Sequence, residues 1–291
     1  MTARPNVTPP SPLRLLAARS RALAASTWLL PGPARRDVRA VLAQLLWMES
    51  RLERLSAEGG SQLRDEAIAF SARLSGPGGS GQSRPLLLHP AWEEAARRSA
   101  LPGHLLLEYL DALNLRLVQR HFRDRVVLEQ YARKLGASAA RLLASAMDLP
   151  VAELAGPLDS LGRYWVHSEL LLFWMREIAS GRVPFPLDEL AAAGITGEEL
   201  LANDAIFEEE PHPLLVYRQD RAGELAELLR AGRPALEAAR GRGTAAWMES
   251  LLAWRGVQLE EFRRRSAAFP SRPGLLAIWR HRRRLFEPPG A

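Results

Sequence analysis

The sequence contains no cysteine, which excludes disulfide frameworks, thiolate zinc sites and a cysteine nucleophile together. Ile, Thr, Tyr and Phe are scarce beside Ala, Leu, Arg and Glu, so the balance favours helix over sheet and little points to a strand anywhere. Long hydrophobic runs are missing too. The longest strongly apolar stretch, Leu170 to Met175, ends at Arg176 and falls far short of the ~20 residues that cross a bilayer. No glycine-rich phosphate loop, nucleophile elbow or Rossmann fingerprint occurs. The histidines, His89, His104, His121, His167, His212 and His281, are scattered without metal-ligand spacing; His167 and Glu169 share one helical stretch and are candidates for polar contacts in a residual pocket.

What is present is helical. A chain of 291 residues has ample core for one large helical bundle enclosing a cavity. Val38, Val41, Leu42, Leu45, Leu46, Met48, Leu52 and Leu55 recur at helical spacing and make one broad buried stripe. Pro31-Gly32-Pro33 and Gly59-Gly60 punctuate its ends. Further helices are expected over about 90–100, 103–121, 124–147, 151–180, 187–193, 197–203, 213–231, 233–265 and 273–286. The proline-rich start, 1–12, and residues 287–291 read as tails, the span 13–286 as one all-α domain, and the Gly/Ser-rich segment within 75–85 as a flexible loop.

The formal net charge is +6, much of it in Arg263 to Arg265 and in Arg280 and Arg282 to Arg284. Flanked by Trp279 and Phe286, the second cluster suits an anionic headgroup layer. No reading motif accompanies the charge, so nucleic acid is not an expected partner. A cytoplasmic protein is expected, with contact to the inner face of the membrane through this region as an open alternative.

The order of segments resembles the squalene/phytoene synthase family, the head-to-head prenyltransferases. Ser20-Arg21 and Leu29-Leu30-Pro31 look like that family's opening helix and turn. Phe122, Leu128, Tyr131, Arg133 and Gly136 match its aromatic, leucine, tyrosine, basic and glycine positions. The run Gly181-Arg182-Val183-Pro184-Phe185-Pro186-Leu187-Asp188-Glu189-Leu190 follows its Gly-Arg-Val-Tyr-Leu-Pro-x-Asp-Glu-Leu segment. The resemblance implies an isoprenoid-synthase-like bundle around a central cavity. It also implies magnesium held by aspartates at i and i+4 on facing helices, neutralising a leaving diphosphate.

Those carboxylates are largely gone. Where the family has Asp-Asp-x-x-Asp, this sequence reads Glu49-Ser50-Arg51-Leu52-Glu53, and the preceding family arginine falls on Leu46. At the second motif, Asp-x-x-x-Asp, stand Phe173 and Glu177, with Arg176 at the adjacent family glutamate. The upstream Gln, Asn and small Ala fall at Val166, Glu169 and Tyr164, and a Gly-x-x-x-Asp pair at Ala112 and Arg116. An aspartate-to-arginine change alters local charge by two units, and a unit pair at ~4 Å is worth about 4 kcal/mol at an effective dielectric near 20. Arg116 and Arg176 are therefore expected to pair with Glu49, Glu53, Glu169 or Glu177 in place of the metal, while Tyr164 and Phe173 partly fill the prenyl cavity.

The favoured expectation is a pseudoenzyme with no cofactor, binding an isoprenoid-like ligand or a protein partner. Its degenerate pocket would draw on Ser20, Arg21, Glu49, Glu53, Arg116, Tyr131, Tyr164, Glu169, Phe173, Arg176, Glu177 and Arg182. The alternative is an active prenyltransferase with a rebuilt diphosphate site. There Glu49, Glu53 and Glu177 would hold Mg2+, or Ser20, Arg21, Arg51, Arg116, Arg176 and Arg182 would clamp a prenyl diphosphate directly.

Overall fold

Val38, Val41, Leu45, Met48 and Leu52 lie one above another on α3 (Gly32–Glu58) and are buried, as their spacing requires. The structure, a computed structural model, describes residues 10–19, 21–58, 60–75, 85–202, 213–265, 278 and 281. Before α3 come α1 (Pro12–Arg19), α2 (Arg21–Ser26) and a 3-10 turn, Thr27–Leu29. After it come α4 (Gly60–Ser75), α5 (Pro90–Ser99) and α6 (Gly103–Val118), then β1 (His121–Phe122) and α7 (Arg125–Ala132). A π-helical turn, Arg133–Ala137, leads into α8 (Ser138–Ala146). The second half holds α9 (Ala155–Leu172), α10 (Trp174–Ala179), β2 (Val183–Pro186), α11 (Leu187–Ala192), α12 (Gly197–Ala202), α13 (Pro213–Ala231), α14 (Arg233–Gly241) and α15 (Ala245–Arg265). The protein is all-α, an isoprenoid-synthase-like helical bundle.

Two helices organise the packing. α3 lies against α1, α4, α5, α6 and α8, and α9 lies against α7, α8, α13, α15 and the π-helical turn. Gln44, fully buried on α3, fixes the segment before α5 by donating to Leu87 O (2.8 Å) and accepting from His89 N (2.7 Å). Where the π-helical turn crosses α9, Gly136 meets Gly162 so closely that a β-carbon on Gly136 would sit 2.2 Å from the Gly162 carbonyl oxygen. Only glycine permits that approach.

Several expected boundaries are corrected. The helix expected over 151–180 starts only at Ala155 and is interrupted at Phe173 (φ −115°, ψ 26°), between α9 and α10. The helix expected over 233–265 divides at residues 242–244. Gly243 takes φ +71° there, a left-handed conformation that ends α14. The helix expected to reach 121 stops at Val118, and a short parallel strand pair follows, β1 with β2. Val183 N donates to Arg120 O at 2.8 Å, which draws the end of α10 against the end of α6. The expected helix over 273–286 lies outside the described residues except for 278 and 281, both helical; the expected loop and tails fall mostly outside them, although Pro12 already opens α1.

Candidate functional site

One face of α6 buries Leu105, Leu106, Tyr109, Ala112 and Arg116. Arg116 is thus carried inward by an otherwise apolar stripe and is 6% exposed. Its Nη2 donates to Glu177 Oε2 at 2.9 Å, and its guanidinium lies 4.6 Å from the centre of the Phe122 ring. Gly181, at φ +70°, turns the chain after α10 so that Arg182 Nε reaches the same Glu177 oxygen at 2.9 Å. Burial alone would push the Glu177 carboxyl up, but Arg116 and Arg182 outweigh it and hold the group below the usual carboxylate range. Burial lowers the Arg116 pKa, with Glu177 opposing. Tyr131 packs on Phe122 with ring centres 5.3 Å apart, and burial raises its phenol pKa, so it stays neutral beside the pair.

A second cluster spans Phe173, with members on α9, α10 and α15. Glu169 accepts from Arg176 Nη2 at 3.0 Å and from Arg255 Nη2 at 2.5 Å. Arg255 is 2% exposed and lies near the rings of Trp165 (4.4 Å), Phe173 (5.3 Å) and Trp254 (5.8 Å). Sequence reasoning passed over this residue. A signal existed: Met248, Leu252, Leu259 and Phe262 are buried on α15, and Arg255 occupies the next core position of the same stripe.

The squalene/phytoene synthase family model matches residues 16–282. This chain belongs to the squalene/phytoene synthase family. A dehydrosqualene synthase, solved in complex with ligand, superposes with a TM-score of 0.72 at 14% identity, over 94% of this chain and 93% of that one. Squalene synthase HpnC from Alicyclobacillus acidocaldarius superposes with a TM-score of 0.68 at 17% identity, over 89% and 94%. At these identities the likeness shows the fold alone. No curated protein sequence matches the chain.

Against the family's magnesium chemistry, the residues present do not fit. Magnesium takes near-octahedral oxygen ligands. Glu177 Oε2 is already claimed by two guanidiniums, and Glu169 bridges two others. Half-buried Glu49 accepts from Tyr109 Oη at 2.6 Å, and Glu53, one turn on, is exposed and outside both clusters. Ser50 donates to Trp47 O at 3.0 Å, and Arg51 lies 4.4 Å from the Trp47 ring centre. Among the described residues no three His, Asp or Glu side chains are grouped to hold a metal ion. Tyr164 is 2% exposed within the main core, and Phe173 is half-buried against Arg255. Ser20 and the side chain of Arg21 lie outside the described residues, as do the side chains of the basic C-terminal clusters.

His167 points away from both clusters. It lines a cavity of about 340 Å3 bounded by α7, α9, α13 and β2, whose apolar wall includes Leu128, Leu170, Leu171, Phe185, Leu225 and Leu228. At its rim Glu129 meets Arg163 (2.6 Å) and His167 (3.1 Å). Burial opposes ionisation of Glu129, yet these two partners bring its pKa down to about 2.

Proposed function

We propose that this family member is a pseudoenzyme: a helical shell without prenyl diphosphate turnover that binds an isoprenoid-like ligand or a protein partner. The observation that carries the reading is the 2.9 Å pair between Arg116 and Glu177. It puts a buried cation where the family resemblance implies an acid and spends the one carboxylate kept at the second motif on an internal ion pair. Arg176 and Arg182 are likewise engaged, with Glu169 and Glu177, which speaks against an arginine clamp for diphosphate. The ligand arm draws support from the apolar cavity of about 340 Å3 beside α9, a size within the range of small-molecule pockets, roughly 300–1,000 Å3.

The test incubates the full chain with farnesyl or geranylgeranyl diphosphate, with and without magnesium, and measures diphosphate release and hydrocarbon products. Neither is expected. Magnesium-dependent release accompanied by squalene or phytoene would overturn the reading. Titration with farnesol, followed by tryptophan emission, then separates the two arms, since only the ligand arm expects saturable binding.

A further inference from the structure

At the start of α3 three arginines stand together without a carboxylate. Arg35, Arg36 and Arg39 have no acidic partner within salt-bridge distance among the described residues; the acid between them, Asp37, is turned to Arg98 and Ser99. Arg35 donates to the Leu30 and Trp28 carbonyls (2.8 and 3.2 Å), and Arg39 Nε donates to Thr27 Oγ1 at 2.8 Å. Both guanidiniums lie 4.6 Å from the centre of the Trp28 ring. These contacts brace the 3-10 turn and present Trp28 outward, 58% exposed, beside Leu29 at 49%. Leu13, 41% exposed, lines a concavity shared with all three arginines.

We infer that this corner is a membrane-contact surface for an anionic lipid bilayer. Headgroup phosphates accept from exposed Arg36, and Trp28, Leu29 and Leu13 enter the boundary between headgroups and acyl chains. Charge complementarity and apolarity together select this occupant. A free phosphate would satisfy the guanidiniums but leave Trp28 and Leu29 in water, whereas the interface accepts an amphipathic ring and a cation side by side. The surface does not rest on the pseudoenzyme reading.

The experiment sediments the full chain with vesicles of phosphatidylcholine alone and of phosphatidylcholine with phosphatidylglycerol. Binding is expected to the second only. A basic side chain near such a surface is worth ~1 kcal/mol, about fivefold in affinity, so Arg36→Gln should weaken binding about fivefold. Trp28→Ser should weaken it by a similar factor. Arg133→Gln, an equal charge change at an exposed position on the π-helical turn, should change it less than about twofold. Arg36 and Trp28 project into solvent, and circular dichroism verifies that the variants fold. Equal losses for Arg36→Gln and Arg133→Gln would reduce the effect to net charge and overturn the proposal. So would an unchanged Trp28→Ser, absence of vesicle binding, or displacement by inorganic phosphate beyond that by chloride at equal ionic strength, the last marking a free-anion site.

Discussion

Replacing Glu177 by Gln removes one charge and leaves Arg116 behind. The two side chains are 12% and 7% exposed, so the stranded guanidinium cannot recover water. It would keep the Gln119 carbonyl at 3.3 Å, a marginal contact to the Val183 carbonyl at 3.5 Å, the Phe122 face, and a neutral amide oxygen for which Arg182 competes. Breaking a buried pair from one side costs about 3–5 kcal/mol, a large share of the ~5–15 kcal/mol that holds a domain folded. Arg116→Met should cost less, about 1–2 kcal/mol, because Arg182 still donates to Glu177 at 2.9 Å and the thioether fills part of the space. The double variant, which leaves no deeply buried guanidinium unpaired because Arg182 is 21% exposed, should be more stable than the sum of the single losses by about 2 kcal/mol. Urea unfolding at neutral pH measures all four proteins, provided the slopes agree. If Glu177→Gln falls within about 0.5 kcal/mol of the parent, or if the two losses simply add, the pair is not coupled as its geometry requires.

Two further outcomes follow from the same geometry. Glu177 and Glu129 have folded pKa values below the ordinary 4.5, Glu129 at about 2. Their stabilisation is therefore full above 4.5 and disappears as pH falls through the folded values. Urea midpoints taken down through the window from 4.5 to about 2 should drop, and Glu129→Gln should flatten part of that drop; an equally steep fall in the variant would refute the assignment. Gly136→Ala should cost about 3 kcal/mol or more, since its β-carbon would meet the Gly162 backbone. Gly156→Ala, which opens on empty space in the same bundle, should be neutral or slightly stabilising; thermal melts distinguish the two.

The helical architecture is legible in the sequence because its information is local. The apolar stripe of α3 and the proline before it set a long helix without reference to any partner. The run from Gly181 to Leu190 is legible for a different reason: Gly181 must turn with positive φ, which restricts that position to few residue types. Charge reversal at Arg116 anticipates a carboxylate partner, and Glu177 is that partner. Arg255 was harder to see. Its carboxylate, Glu169, is 86 residues away, and only the packing of α15 on α9 joins them. The interruption at Phe173 was also hidden, as neither proline nor glycine marks it and the residues on both sides are good helix formers.

That interruption also divides the surroundings of two nearby positions. Phe173 and Glu177 are four residues apart, yet the first contacts Arg255 and the second Arg116 and Arg182. An aspartate at 173 would stand at the break between α9 and α10, where the present side chain meets Arg255. A charge placed at 173 would enter the surroundings of Arg255 and Glu169, while Glu177 stays committed to Arg116 and Arg182.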